Sequence, residues 1–270
     1  MICVITGAAG GIGTAASVEL AARGHTVVLV GRDRAKLERT ADRVTSVSGS
    51  RPDILTCDYA SFAEVRKLAA ELLDRYERID VLAHNAGVMT PRRQTTVDGH
   101  ELIMQVNHLS PFLLTTLLLD RLHESGARIV TTASMAARTG RIDPDDLDRR
   151  RRWWNGWLQY GDSKQANVLF TGHLARLGKN IYPTCFHPGI IRTNFASDTA
   201  YMRFLMMIPG LARSPEEGAR GLVHLATHPD GTAYPGRYFV RTTPARASAN
   251  MTDPELARRL WEASLAATSD

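Results

Sequence analysis

Lysine is scarce in this chain of 270 residues. Of its 33 basic residues only four are lysines, at positions 36, 67, 164 and 179, so chemistry that needs an ammonium group has few candidates. The basic residues exceed the 28 acidic ones only slightly, for a formal net charge of +5. A small excess suits an anionic small molecule, whereas a nucleic-acid-binding surface needs a basic cluster, so we expect no nucleic-acid partner.

Cysteine is rare as well. Cys3, Cys57 and Cys185 are far apart in the sequence and form no CxxC pair and no Cys/His cluster. This pattern argues against a disulfide framework and against a zinc site, so we expect no bound metal. Reduced thiols in a cytoplasmic protein are the simplest interpretation.

Long apolar runs are also missing. The longest, such as residues 113–119, are well short of the 18 or more residues that span a bilayer. The N-terminus lacks a charged segment followed by an apolar one, so it does not look like a secretion signal. With 44% hydrophobic residues the chain can bury a large core, and we expect a globular protein without a membrane span.

Short apolar runs alternate with amphipathic segments along most of the chain. Predicted strands cover residues 2–5, 26–30, 53–56, 81–84, 128–132, 181–186 and 238–240. Predicted helices cover residues 15–23, 33–47, 61–76, 101–122, 160–177 and 254–265. Such alternation is typical of a parallel sheet with right-handed crossovers, so we expect residues 1–270 to form one doubly wound α/β domain of about seven strands, with helices on both faces.

A glycine-rich segment, residues 6–13, joins the first strand to the first helix. It fits the spacing T-G-x-x-x-G-x-G through Gly7, Gly11 and Gly13, and equally G-x-x-G-x-x-G through Gly7, Gly10 and Gly13. Glycines here let the backbone approach a pyrophosphate, which free N–H groups of the helix N-terminus then bind. A plain tight turn would look similar, but the position directly after an N-terminal strand favours a dinucleotide site.

The second strand ends in Gly31 and Arg32, where an NAD site usually has an acid that binds the ribose hydroxyls. The acid is missing here and a guanidinium is present, which suits the 2′-phosphate of NADP(H), because arginine can bind a phosphate through two hydrogen bonds. We therefore expect NADP(H) rather than NAD(H). The alternative is that Arg32 is one more solvated surface arginine.

A candidate acid/base lies in the second half of the chain. Tyr160 and Lys164 are four residues apart and therefore share one helical face. A neighbouring ammonium stabilises a phenolate and lowers the pKa of the tyrosine, which makes it a competent acid/base. The alternative is an ordinary exposed pair on a helix.

The whole chain resembles the short-chain dehydrogenases/reductases. The supporting segments follow the family's order: residues 6–13, Asp58, residues 84–87, Asn107, Ser134, Tyr160 with Lys164, Pro188-Gly189 and Thr193. Phrases such as residues 98–101 and 187–189 resemble the branch that is similar to retinol dehydrogenases and WW-domain oxidoreductases. His84 replaces the family's usual Asn and Ala133 a frequent Ser, and neither change removes a predicted catalytic residue.

The resemblance implies a Rossmann-type fold with a catalytic tetrad of Asn107, Ser134, Tyr160 and Lys164. In the family, the tyrosine protonates a carbonyl oxygen as the nicotinamide delivers hydride, the serine binds that oxygen, and the lysine also holds the nicotinamide ribose. Together with Arg32, the expected cofactor contacts are Gly7, Gly11, Ile12, Gly13, Asp58, Asn85, Ala86, Gly87, Tyr160, Lys164, Pro188, Gly189 and Thr193.

The branch typically uses NADP and acts on lipophilic or ring-bearing carbonyls and alcohols. Three tryptophans end an insertion at residues 141–157, where they could line a pocket for a flat substrate or pack the insertion onto the body. Residues 195–211 are apolar and Met-rich, which suits a substrate lid at about 190–215. We therefore expect a ketoreductase of an aromatic or polycyclic secondary metabolite, and homo-oligomers are usual in the family.

Three other functions stay open at this point. The enzyme could run in the oxidative direction, because direction follows the cofactor ratio. A catalytically inactive NADP(H)-sensing protein would keep the glycine segment, although intact Tyr160 and Lys164 argue against it. A sugar-nucleotide epimerase shares one of the glycine spacings, but about 80 residues follow Pro188, too few for a separate sugar domain.

The assignment of Arg32 to the 2′-phosphate is directly testable. Because the guanidinium would contact a group that only NADPH carries, Arg32→Ala should raise the KM for NADPH far more than the KM for NADH. Steady-state kinetics with both cofactors measure this, and Arg75→Ala serves as a control that should change neither value. Equal changes for the two cofactors would refute the assignment.

Overall fold

The computed structural model describes residues 1–178, 180–191 and 212–269. One sheet of eight strands lies at its centre, in the order β3-β2-β1-β4-β5-β6-β7-β8. The strands are β1 (Ile2–Thr6), β2 (Thr26–Gly31), β3 (Asp53–Thr56), β4 (Val81–His84), β5 (Arg128–Thr132), β6 (Tyr182–His187), β7 (Tyr238–Val240) and β8 (Thr243–Pro244). Strands β1 to β7 pair in parallel, which confirms the predicted doubly wound sheet.

Strand β8 is the one addition to the predicted set within the described ranges. It has two residues and pairs antiparallel with β7. The turn between them contains Arg241 at φ +58, a left-handed conformation that allows so tight a reversal. A strand of two exposed residues leaves no apolar period in the sequence, which is why the pattern did not reveal it.

Helices cover both faces of the sheet, as predicted. Within the described ranges they are α1 (Gly11–Ala22), α2 (Arg34–Ser48), α3 (Phe62–Arg75), α4 (Leu102–Met104), α5 (Ser110–Leu117), α6 (Leu119–Ser125), α7 (Gly156–Arg176), α8 (Pro215–Thr227), α9 (Asp230–Ala233) and α10 (Pro254–Thr268). Cys3 and Ile5 pack on one face with α1, α2 and α8, while Val4 packs on the other with α3, α5, α7 and α10. Because β1 is buried on both sides, its sequence is a continuous apolar run.

The helix predicted at residues 101–122 is divided into shorter pieces. Helix α4 runs into a π-helical turn, Gln105–Leu109, in which the N–H of Ser110 donates to the carbonyl of Gln105, five residues back. Pro111 follows directly and has no N–H to donate, so a regular α-helical ladder cannot continue through this point. Wide turns of this kind are frequent at functional sites, and this one contains Asn107.

Helix α7 begins four residues earlier than the predicted position 160. The side chain of Asn155 accepts the N–H of Trp157 at 2.9 Å and caps the helix at Gly156. A Cβ at position 156 would lie 2.1 Å from the carbonyl oxygen of Thr90, so glycine lets the helix start against the segment after β4. Trp157 therefore belongs to the first turn of the helix that carries Tyr160 and not to the insertion.

Membrane-spanning helices were tested on the described residues. No single helix there is both long and apolar enough to cross a bilayer. The segments Leu102–Leu117 and Leu119–Ser125, bent by 66° at their junction, meet the length and composition of a span only when taken together.

A cluster of aromatic rings packs the C-terminal helix α10 onto the body. The Trp261 ring lies with its centroid 4.8 Å from that of Phe112 on α5 and 6.0 Å from that of Phe170 on α7. Phe112 is fully buried. Phe112 meets both Trp261 and Phe170 edge to face, while Phe170 and Trp261 are stacked. Such pairs add to the energy of burying the rings, so Phe112 stabilises three helices at once.

Phe112→Ala should lower the free energy of unfolding by about 3 to 5 kcal/mol, because it removes a buried ring and leaves a cavity between α5, α7 and α10. Urea unfolding followed by far-UV circular dichroism measures the change. Leu265→Ala, at a half-exposed position of α10, is the control and should change stability by less than about 0.5 kcal/mol. Similar losses in both variants would show that the ring cluster has no special role.

Candidate active site

The glycine segment forms a tight turn at the carboxyl end of β1. Gly7 and Gly11 have φ values of +67 and +52, which side chains rarely adopt, and a Cβ at Gly13 would lie 2.2 Å from the carbonyl oxygen of Gly7. Gly10 is extended, with φ 174, and has open space around it. Glycine is therefore sterically required at positions 7, 11 and 13 and not at position 10, which favours the T-G-x-x-x-G-x-G interpretation.

The N-terminus of α1 opens directly from this turn. It has no side-chain cap and no acidic residue in its first turn, so its N–H groups and the positive end of its dipole are available to an anion. Glycine lets this turn close tightly on itself and on the turn after β4, because a Cβ at Gly7 would lie 2.8 Å from Ala86 Cα and one at Gly13 would lie 2.2 Å from the Gly7 carbonyl oxygen. A cradle of this shape fits the pyrophosphate of a dinucleotide.

Thr6 joins the turn after β1 to the turn after β4. Its hydroxyl accepts the N–H groups of Asn85 at 3.0 Å and Ala86 at 3.1 Å and donates to the carbonyl of Ala83 at 3.0 Å. The Asn85 amide in turn donates to the carbonyl of Thr6 at 3.1 Å. Thr6 was not among the predicted site residues, although it is the threonine of the T-G motif.

Asn107 holds the backbone just after the β4 turn. Its side-chain oxygen accepts the N–H of Val88 at 2.7 Å, and its amide donates to the Val88 carbonyl and to the Ser163 hydroxyl, each at 3.0 Å. A Cβ at Gly87 would lie 3.3 Å from the Asn107 oxygen and 3.6 Å from Lys164 Nζ. The structure thus brings Asn107, Gly87 and Lys164 together.

Lys164 is buried on α7. Its ammonium donates to the carbonyl of Thr132, at the end of β5, at 2.9 Å, and it lies 5.7 Å from the centre of the Tyr160 ring. Burial lowers the pKa of Lys164 to about 8, because an ammonium loses its hydration inside the protein. The motifs around Lys164 did not indicate Thr132 as its partner.

Tyr160 and Ser134 face each other across the site. Burial raises the pKa of Tyr160 to about 12, and a hydrogen bond with the Ser134 hydroxyl opposes this rise. The direction is the reverse of the expected one, because desolvation of the phenolate outweighs an ammonium that is bonded to the Thr132 carbonyl. At neutral pH the phenol is therefore protonated, which is the form that can donate a proton.

The two tryptophans nearest Tyr160 have different surroundings from the third. Trp154 packs in a small apolar cluster with Tyr160, Ile103 and Ala136, and the Trp157 ring centre lies 6.3 Å from that of Tyr160. Trp153, by contrast, is 76% exposed. Trp154 therefore forms the wall beside the candidate acid, whereas Trp157, 40% exposed, and Trp153 are surface residues.

The remaining predicted cofactor contacts lie at the ends of other strands. Arg32 is exposed after β2 and forms no ion pair with any residue that the structure describes. The Asp58 carboxylate, after β3, accepts the N–H of Ala60 at 3.0 Å. Gly189 follows β6 with φ +100. Thr193 and most of the predicted lid lie outside the described residues.

His84, the departure from the family motif, has a structural role. It is buried at the end of β4, where its Nε2 lies 2.8 Å from the Thr115 hydroxyl. Burial lowers the pKa of His84 to about 3, so the imidazole is neutral. It faces α5 rather than the glycine turn, which explains why the change leaves the site intact.

A group of metal-binding residue types lies far from this site. His224 Nε2 and His228 Nδ1 approach the Asp230 carboxylate at 2.9 and 3.4 Å, and the three ligand atoms lie within 4.8 Å of one another. The carbonyl of His228 accepts the guanidinium of Arg128 at 2.8 Å, and Arg128 begins β5. The group is therefore at the amino edge of the sheet, whereas the glycine turn is at the carboxyl edge.

The parts of the site lie together at one edge of the sheet. Strand order reverses between β1 and β4, and ligands of doubly wound sheets bind outside the strand ends at that point. Here the glycine turn, the β4 turn and the Tyr160–Lys164 helix all meet. The protein is a Rossmann-type, dinucleotide-dependent oxidoreductase.

Comparison with known proteins gives the family. Residues 1–203 match the family model described as "short chain dehydrogenase", and the chain belongs to the short-chain dehydrogenase/reductase family. It is therefore an oxidoreductase that acts on CH–OH or C=O groups, and its relatives include retinol dehydrogenases. Human retinol dehydrogenase 13 is 36% identical over 273 residues, which cover 96% of this chain and 81% of that protein.

Two further relatives are informative. The "Putative daunorubicin C-13 ketoreductase DnrU" of Streptomyces sp. (strain C5) is 42% identical over 267 residues, which cover 99% of this chain and 92% of that one. A solved structure of a "putative uncharacterized protein" from Mycobacterium paratuberculosis superposes with a TM-score of 0.80 at 33% identity, covering 99% of this chain and 92% of that one. Both comparisons extend over the whole site.

Thr6→Val should weaken both the fold and cofactor binding, because it leaves the partly buried N–H groups of Asn85 and Ala86 without their acceptor. We expect a loss of about 1 to 3 kcal/mol in the free energy of unfolding, together with a higher Kd for NADPH in fluorescence titrations. Thr6→Ser keeps the hydroxyl and is the matched control. A Thr6→Val protein that binds NADPH as tightly as Thr6→Ser does would contradict this role.

Proposed function

We propose that the protein is an NADPH-dependent ketoreductase that reduces a lipophilic, ring-bearing carbonyl compound. The observation that carries this proposal is the buried Tyr160, which is protonated at neutral pH, hydrogen-bonded to Ser134, and flanked by the Trp154 ring. This arrangement places a proton donor at an apolar wall.

The four predicted catalytic residues have separate roles in this proposal. Tyr160 donates its proton to the carbonyl oxygen, and Ser134 hydrogen-bonds the same oxygen. The Lys164 ammonium stabilises the phenolate that remains after proton transfer. Asn107 holds Val88 and Ser163 and so keeps the lysine and the β4 turn in place. Bound NADPH would supply the hydride.

The cofactor would lie across the carboxyl edge of the sheet. Its pyrophosphate would lie at Gly7, Gly11, Ile12 and Gly13, while Asn85, Ala86 and Gly87 line the β4 side. Arg32 would bind the 2′-phosphate, which the exposed guanidinium favours. Asp58, Pro188, Gly189 and Thr193 complete the predicted contacts. A similar structure from Shigella flexneri, with a TM-score of 0.71 and 26% identity, is a complex with NADP.

The substrate class rests on the apolar wall and on the relatives. Trp154 packs with Tyr160, together with the partly buried Val88 and Met89. Two of the relatives are named for daunorubicin and retinol, which are both ring-bearing molecules. An aromatic or polycyclic secondary metabolite fits such a wall by stacking on the indole.

The protonation state of Tyr160 supports the reductive direction. A tyrosine with a pKa of about 12 holds its proton at neutral pH and can donate it, whereas oxidation would need it as a phenolate.

The cysteines at positions 3, 57 and 185 are buried and unpaired, and burial raises the pKa of each thiol to about 12. Inert thiols suit the cytoplasm. A single domain and homo-oligomers stay predictions.

The proposed function is tested by Tyr160→Phe, which removes the proton donor and keeps the ring. We expect the rate of NADPH oxidation with a lipophilic ketone such as 2-acetylnaphthalene to fall by roughly 100-fold or more, while NADPH binding is retained. Tyr234→Phe, at a partly exposed tyrosine, is the matched control. A Tyr160→Phe enzyme with nearly full activity would favour the alternative of an NADP(H)-sensing protein.

A second test is the pH dependence of ketone reduction. Lys164 is charged below its pKa of about 8 and neutral above it, so kcat/KM should fall as the pH rises through 8. Tyr160 stays protonated over this interval because its pKa is about 12. In Lys164→Arg, the residual activity should show no such fall, because a guanidinium stays charged. A flat wild-type profile between pH 7 and 10 would contradict the role of Lys164.

A further inference from the structure

The insertion before α7 contains two consecutive buried charged residues, Asp148 and Arg149, each 7% exposed. Charged side chains are rarely buried unless they are paired. Arg149 has φ +48, a left-handed conformation that is uncommon for a residue with a side chain. Both the burial and the backbone indicate that these two side chains make specific contacts.

Arg149 connects the insertion to the catalytic helix. Its Nε lies 2.8 Å from the Asp162 carboxylate, and its Nη1 donates to the carbonyl of Trp153 at 3.2 Å. Asp162 is fully buried, and its other oxygen accepts the N–H of Arg141 at 2.7 Å. Asp162 lies midway between Tyr160 and Lys164, about 200° around the helix from Tyr160. The ion pair therefore fixes α7 at the level of the two catalytic side chains.

Asp148 connects the insertion to the segment that leads to Asn107. One oxygen of Asp148 accepts the N–H of Glu101 at 2.9 Å, and the other lies 3.2 Å from His100 Nδ1. The Glu101 side chain then accepts the N–H of Met104 at 2.9 Å and caps α4. Because the π-helical turn with Asn107 continues directly from α4, Asp148 fixes the start of the Asn107 segment.

Arg93 adds a third segment to this arrangement. Its guanidinium donates to the carbonyl of Arg149 at 3.0 Å and to the carbonyl of Asp148 at 2.8 Å. Arg93 follows β4 by a few residues, in the same loop as Val88, which the Asn107 side chain binds. The loop after β4, the Asn107 segment and α7 therefore all meet at one dipeptide.

We propose that Asp148 and Arg149 are positioning residues that keep the Asn107 segment and the Tyr160–Lys164 helix in fixed relative positions. The role in turnover rests on the ketoreductase function proposed above, because alignment matters only where these groups act together. Small displacements of catalytic groups reduce rates strongly. The insertion thus does more than carry Trp154 to the wall of the site.

The test compares Arg149→Met with the double variant Arg149→Met/Asp162→Asn. The single variant leaves the buried Asp162 charge with only the more distant Arg152 guanidinium, 3.7 Å away, and lowers the unfolding temperature, whereas the double variant removes that charge and restores most of the stability. Turnover of 2-acetylnaphthalene is measured per NADPH-binding site, so that unfolded protein does not lower the measured kcat. We expect kcat to fall roughly 10- to 100-fold in both variants, with the Kd for NADPH nearly unchanged.

The control is Arg151→Met, which removes an adjacent, exposed arginine of the same insertion and should leave kcat unchanged. Asp148→Ala tests the contact with the segment that leads to Asn107, and it should lower kcat per NADPH-binding site as Arg149→Met does. If the double variant recovers both stability and kcat, the ion pair contributes stability alone and the proposal is overturned.

Hydrogen exchange followed by mass spectrometry gives a readout that needs no turnover. Arg149→Met should speed amide exchange in residues 102–109 and 156–164 together, while the β-strands keep their protection. Acceleration confined to the insertion would overturn the coupling of the two segments. A wild-type protein that binds NADPH but reduces no carbonyl would instead count against the proposed function, and the exchange result would still decide the coupling.

Discussion

The site depends on one unfavourable feature, the burial of the Lys164 ammonium. A cation loses its hydration inside a protein and must be compensated by acceptors or by a counter-charge. Here the acceptor is the backbone carbonyl of Thr132 at 2.9 Å, and burial lowers the pKa of Lys164 to about 8. A cation in this state gains from any negative charge that forms beside it, and the phenolate of Tyr160 would be such a charge.

The surrounding backbone is built to leave room for that cation and for a nucleotide. Gly87 lies where a Cβ would come within 3.6 Å of Lys164 Nζ, and Asn107 holds the loop that contains it. On the other side, the Thr6 hydroxyl binds the turns after β1 and β4 together. The parallel sheet brings these turns to the same edge, because the carboxyl ends of its strands all point in one direction.

Local features of this structure could be predicted from sequence. The strands β3, β4, β5 and β7 have the predicted bounds, since each is a short apolar run next to turn-forming residues. The tetrad residues also lie in recognisable motifs. The predicted helix at residues 101–122 was wrong in detail, because a π-helical turn before Pro111 leaves the apolar pattern almost unchanged. The predicted start of α7 was four residues late, because the cap at Asn155 lies within a tryptophan-rich segment that shows no helical period.

Long-range contacts could not be predicted in this way. The Thr132 carbonyl is a backbone group, so the sequence cannot mark it as the partner of Lys164. Asp148 and Arg149 lie in a stretch rich in charged residues, 145–152, and only the folded chain shows that their partners are Glu101, 47 residues away, and the buried Asp162.

Titration of Lys164 tests the central claim most directly. With only four lysines in the chain, protein labelled with ¹³C-lysine gives a simple spectrum, and the signal lost in Lys164→Arg assigns the residue. Its side-chain chemical shift should change with a midpoint near pH 8. A midpoint near the ordinary lysine value of about 10.4 would contradict the account, because Lys164 would then not be a desolvated cation.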